Sequence, residues 1–121
     1  QKHVMRSTRD VFTYFWHPTC EPCAAASRLW NKLGREVERK GWRSKGVVVA
    51  KLDISRNDCE EDVETYPKFV LYPAVPAREK MRTRQVWSLP RGHGYDDVPI
   101  ESLLDFLLAT AVTLDGSEDA A

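Results

Sequence analysis

Val11–Trp16 is an unbroken run of aromatic and β-branched residues, ended by His17 and Pro18. Such a run predicts a buried strand. Ala25, Leu29, Leu33 and Val37 then recur in steps of four, with Trp30 beside them. That spacing predicts an amphipathic helix over Cys20–Lys40. Pro22 suits its first turn, and Ala24, Ala25 and Ala26 favour helix. Gly41 ends it, behind Arg39 and Lys40.

Val47–Asp53 predicts a second strand, preceded by Gly46. Asn57–Thr65 reads as a short helix, acidic near its start and broken by Tyr66-Pro67. Lys68–Tyr72 predicts a third strand, Pro73–Arg82 a turn-rich excursion, Thr83–Leu89 a fourth strand and Arg91–Pro99 a glycine-containing loop. In the last helix, Pro99–Val112, the residues Ile100, Leu103, Leu104, Leu107, Leu108 and Ala111 follow the i, i+3, i+4 template. The opening β-α-β unit implies parallel pairing through a right-handed crossover. The last two strands, joined by a loop, are expected to pair antiparallel. The class is α/β, a mixed sheet flanked by helices.

At 121 residues and 42% hydrophobic, the chain supports one packed domain. Charge balances, with 18 Lys+Arg against 18 Asp+Glu, which argues against nucleic-acid binding through bulk positive charge. The balance hides an asymmetry. Residues 1–52 carry 11 basic and 4 acidic side chains, a net of +7, and the remainder nets −7. Such faces are ordinarily solvated. No apolar run spans a bilayer, since the leucine-rich stretch 103–114 contains Asp105. No leader peptide is legible, and the start at Gln1 suggests a mature chain or a segment of a longer one. Residues 1–113 are expected to form one domain with a short N-terminal part, and 114–121 an acidic tail or linker.

Three cysteines are too few for a disulfide-stapled scaffold. Two of them form Cys20-Glu21-Pro22-Cys23, between a buried strand and a helix N-terminus. The helix dipole there favours a thiolate at Cys20. Cys23 lies one turn on, within reach of a disulfide. One thiolate then attacks a substrate disulfide and the other resolves the mixed disulfide. A structural pair or half a zinc site would share this spacing. Zinc needs two more closely spaced ligands, whereas Cys59, His3 and His93 are scattered and only His17 is near. Neither metal nor cofactor is expected.

The segment from Val11 to Cys23 resembles the active-site segment of thioredoxin-like domains, most of all those of protein disulfide isomerases. Lys51-Leu52-Asp53, Cys59, Tyr66-Pro67 and the stretch from Val86 to Arg91 follow in the family's order. The resemblance covers residues 11–112. It implies a thioredoxin-like sandwich, with Cys20 as exposed nucleophile and Cys23 as buried resolving cysteine. Pro67 would be a cis-proline facing the pair, leaving the backbone of Tyr66 free to pair with an extended substrate. Thr19 would flank that substrate. Arg91 would match the mobile arginine that helps the resolving cysteine lose its proton.

Several positions depart from the family. Thr19 stands where it has tryptophan, and Glu21-Pro22 where isomerases have Gly-His. Tyr14 takes the place of the buried acid, and Arg28 that of the kink proline. Glu21 disfavours the thiolate, and Tyr14 in place of an acid slows resolution. His17 could supply the missing imidazole from the other side of Cys20. Cys59 reads as a buried thiol or a bond to another chain. Phe12, Phe15, Trp16, Trp30 and Phe69 are expected in the core, while Trp42 and Trp87 are expected to edge a binding surface.

The resemblance therefore implies a thiol–disulfide oxidoreductase of the endoplasmic reticulum lumen or secretory pathway. Its partners would be cysteine-containing client proteins and other domains of the same parent chain. The alternative is a redox-inactive binding module of a larger endoplasmic-reticulum protein. A cytosolic thioredoxin-type reductant fits the isomerase-like residues less well.

Overall fold

The computed structural model describes residues 8–56 and 66–114. The expected helix over Asn57–Thr65, with Cys59, lies outside them, as does most of the acidic tail. Among the described residues, four strands make one sheet: β1 (Asp10–Trp16), β2 (Val47–Asp53), β3 (Lys68–Tyr72) and β4 (Gln85–Trp87). Their order is β2-β1-β3-β4. β1 pairs parallel with β2, from Asp10 opposite Val47 to Trp16 opposite Asp53. β3 runs antiparallel to β1 and β4 antiparallel to β3. This mixed sheet, flanked by helices, is the α/β architecture expected from the sequence.

The helices are α1 (Cys23–Arg39), α2 (Trp42–Lys45), α3 (Ala77–Thr83) and α4 (Ile100–Thr110). Strand alternation divides the side chains of β1 between two faces. Phe12 and Tyr14 join the larger core with Phe69, Leu71 and the apolar stripes of α1 and α4. Phe15 faces the other way, with Val70 and Tyr72. Trp30 fixes α1 on the sheet: its ring meets Phe12 at 4.6 Å, edge to face, and its Nε1 donates to the Ala50 carbonyl at 2.9 Å.

Several sequence expectations are corrected. The excursion Pro73–Arg82 contains α3, although its polar sequence has no apolar stripe. Pro76 precedes the first turn, Arg82 pairs with Glu79 at 2.8 Å, and the fully buried Lys80 amine donates to the Pro73 and Arg9 carbonyls. Thr83 belongs to this helix, where its hydroxyl donates to the Glu79 carbonyl, so β4 begins at Gln85. The first helix starts at Cys23 rather than Cys20, because turn bonds from Cys20 to His17 and from Cys23 to Cys20 come first. Leu108 lies at the exposed edge of α4. Trp42 and Trp87 edge no surface. They are 5% and 6% exposed, Trp42 folded back after Gly41 and Trp87 set edge-on to Phe69. Gly41 makes the bend at φ +72°, a conformation that favours glycine. Of the five aromatics expected in the core, four are buried. Trp16 is half-buried, with the Lys51 amine 5.5 Å from its ring centre.

The start of β1 is closed by a polar knot. The Asp10 carboxylate is fully buried. It accepts from the N–H groups of Ala74, Val112 and Thr113 and from the Thr113 hydroxyl. Thr113 in turn fills the space beside Gly46, where a Cβ would come within 2.9 Å of it.

Candidate active site

The site forms where β1 leaves the sheet. Trp16 ends the strand, and its carbonyl accepts from the Ile54 N–H at 3.1 Å. The chain then turns twice. Cys20 N–H donates to the His17 carbonyl at 3.0 Å, and Cys23 N–H to the Cys20 carbonyl at 3.3 Å. Pro22, at the helix cap, has no N–H to leave unpaired.

Cys20 and Cys23 form a disulfide, with Sγ atoms 2.15 Å apart and Cα atoms 5.3 Å apart. The two ends differ. Cys23 opens the buried stripe of α1 that continues through Ala26, Trp30, Leu33 and Val37, and is 4% exposed. Cys20 lies before the helix and is half-exposed. The helix period thus gives the pair an inner and an outer sulfur.

Tyr14 lies behind the inner cysteine. It shares a strand face with Phe12, so its ring points toward α1 and its hydroxyl reaches the first helical turn. That hydroxyl donates to the Cys23 carbonyl at 3.0 Å and lies 3.0 Å from Ser27 Oγ. Burial pushes the Tyr14 phenol up, an effect partly offset by the Ser27 bond. It is therefore a neutral hydroxyl at physiological pH. Ser27 carried no signal in the sequence, although its position one turn beyond Cys23 places it beside the same strand.

The Tyr66–Pro67 peptide bond is cis. Both residues are half-exposed at the start of β3, next to β1 in the sheet. The His17 ring packs on Tyr66 with centroids 5.3 Å apart. Thr19 is exposed, and its N–H and hydroxyl meet His17 Nδ1 at 3.2 and 2.8 Å. Asp53, at the end of β2, is held below the ordinary carboxylate range chiefly by the Ser55 hydroxyl.

Thr19, Cys20, Cys23 and Tyr66-Pro67 are thus gathered at one end of the sheet. Arg91 is exposed in the loop after β4 and makes no hydrogen bond or ion pair with other described residues. Among the described residues no group of three or more His, Cys, Asp or Glu side chains is placed to hold a metal. No described helix is long and apolar enough to cross a membrane.

A family model named Thioredoxin matches residues 1–86. The chain belongs to the thioredoxin family. The protein disulfide-isomerase of Humicola insolens is 32% identical over 71 residues, 59% of this chain and 14% of that protein. The protein disulfide-isomerase of Oryctolagus cuniculus is 31% identical over 71 residues, 58% of this chain and 13% of its own length. This thioredoxin-family chain is therefore matched to only about one seventh of those relatives. The structure of the first two thioredoxin domains of Saccharomyces cerevisiae Eps1p superposes with a TM-score of 0.66 at 15% identity, covering 99% of this chain and 42% of that one. That likeness shows the fold. The protein is thus a thioredoxin-family domain related to protein disulfide isomerases, with a Cys20–Cys23 disulfide at its strand–helix junction.

Proposed function

We propose that the protein is a thiol–disulfide oxidoreductase of the protein disulfide isomerase type. The observation that carries this reading is the asymmetry of the pair, with Cys20 half-exposed and Cys23 buried on the helix stripe. In the reduced protein, the Cys20 thiolate attacks one sulfur of a substrate disulfide. The second substrate sulfur leaves as a thiolate and takes a proton. The Cys23 thiol loses its proton and attacks Cys20 Sγ, releasing the first substrate sulfur. Two electrons pass to the substrate and the Cys20–Cys23 disulfide remains. The reverse sequence oxidises a dithiol.

Thr19, Tyr66 and Pro67 line the substrate's approach in this reading, with the Tyr66 backbone pairing with an extended segment. Arg91 assists deprotonation of Cys23 by approaching it from its exposed loop. The clients are cysteine-containing proteins of the secretory pathway, and the compartment is the endoplasmic reticulum lumen. The relatives named protein disulfide-isomerase support this assignment, as does their greater length, which leaves room for further domains in a parent chain.

Cys23→Ala tests the reading directly. A peptide containing a disulfide should remain bound to Cys20 as a mixed disulfide that dithiothreitol releases. Absence of any adduct through Cys20 removes the catalytic role. The alternative is a redox-inactive binding module. It is favoured by the Tyr14 hydroxyl, which is committed to the Cys23 carbonyl and Ser27 in a place where the family has an acid. The potential of the pair separates the two readings. A value of about −180 to −270 mV supports exchange, and one below about −300 mV a structural bond.

A further inference from the structure

His17 links the Thr19–Cys20 turn to Tyr66, just before β3. Its carbonyl accepts from the Cys20 N–H at 3.0 Å. Its Nδ1 accepts from the Thr19 N–H at 3.2 Å and lies 2.8 Å from the Thr19 hydroxyl. An Nδ1 that accepts carries no proton, so in the neutral ring the proton sits on Nε2. The face of the same ring packs on Tyr66 at 5.3 Å, with planes 32° apart. Among the described residues no other hydrogen bond or ring contact links residues 17–22 to Tyr66-Pro67. Trp16, the preceding residue, is bonded instead to Ile54, beyond β2.

We propose that His17 is a positioning residue for disulfide-bearing peptides. It holds the Thr19–Cys20 backbone and the Tyr66 backbone at a fixed separation. An extended peptide can then pair with Tyr66 while its disulfide meets Cys20. The inference rests on the exchange reading above and adds to it a substrate preference. A peptide must engage both segments, whereas a small disulfide needs only Cys20. The contacts that carry this role are geometric: Nδ1 is engaged by Thr19 and the ring face by Tyr66.

The test is a double-mutant cycle of His17→Ala and Tyr66→Ala in the full chain. The substrates are a peptide with one internal disulfide and hydroxyethyl disulfide. His17→Ala should raise the peptide KM about fivefold, with a smaller change in kcat and a smaller rise for hydroxyethyl disulfide. The double variant should be no worse than the worse single variant, since both act through one contact. His17→Phe keeps the packing on Tyr66 and should fall between wild type and His17→Ala. Additive effects, or equal rises for the two disulfides, overturn the proposal. If the wild-type protein turns over neither disulfide, the exchange reading fails. Amide hydrogen exchange then decides the positioning role alone: His17→Ala should speed exchange at both Thr19 and Tyr66, and unchanged rates at Tyr66 overturn it.

Discussion

At the Asp10 end of β1 a carboxylate is sealed from solvent, and four donors converge on it. At the Trp16 end the same strand opens into a half-exposed loop held by turn bonds, one imidazole and a disulfide. The two ends are built from similar parts, polar groups beside a packed sheet. They differ in how completely those groups are satisfied. The closed end holds the chain together. The open end leaves the half-exposed Cys20, Tyr66 and Pro67 within reach of other molecules. Sealed and accessible polar groups are thus separated along a single strand.

The largest expected effect is at the closed end. Asp10→Ala removes a buried carboxylate and leaves three part-buried N–H groups without their acceptor, which should cost ~3 kcal/mol in urea unfolding. Reducing the disulfide opens only a short loop, of sequence separation 3. It should cost at most ~2 kcal/mol by the same measurement. A greater loss on reduction than in Asp10→Ala would break the comparison.

Tyr14 lies between the ends and sharpens the contrast. Tyr14→Phe loses the bonds to Cys23 and Ser27 and should cost about 1–2 kcal/mol near neutral pH. The folded phenol titrates above its ordinary value of 10.0, mainly through burial. Its contribution is therefore complete below pH 10.0 and is lost as pH rises through the folded value. The gap between wild type and Tyr14→Phe should narrow at about pH 11, read from urea midpoints. A gap that widens there contradicts the assigned environment.

The smallest effect lies in mid-strand. Thr13 is 1% exposed and its hydroxyl has no hydrogen-bond partner among the described residues. Thr13→Val keeps the shape and removes an unpaired polar atom. It should raise stability by up to ~1 kcal/mol in thermal unfolding. A loss would show that the hydroxyl contributes to the strand.

The elements that were legible in the sequence are those with a clear period. β1 declares itself through its aromatic run, and α1 and α4 through apolar stripes. α3 does not, because Met81 is its one large apolar side chain among Arg78, Glu79, Lys80 and Arg82 and sets no period, although it packs beside Phe15, Val70 and Tyr72. It forms through a local ion pair and a buried amine that finds carbonyls only after β3 is in place. Trp42 and Trp87 misled for a related reason. A lone aromatic outside a stripe has no period to place it, and here the turn at Gly41 and pairing with β3 place both inside. The cysteine pair was legible from its spacing and flanks. The contact between His17 and Tyr66 was not, because it depends on β3 lying beside β1.

The Asp10 knot also governs how the chain reaches its native state. Two of its bonds join residues 103 positions apart. Until Val112 and Thr113 arrive, that carboxylate lacks most of its partners and β1 cannot seal its end. Contacts of such long sequence separation form slowly, because a large loop must close first. The domain should therefore complete its folding as one late, cooperative step. During synthesis that step waits until the residues after α4 have left the ribosome.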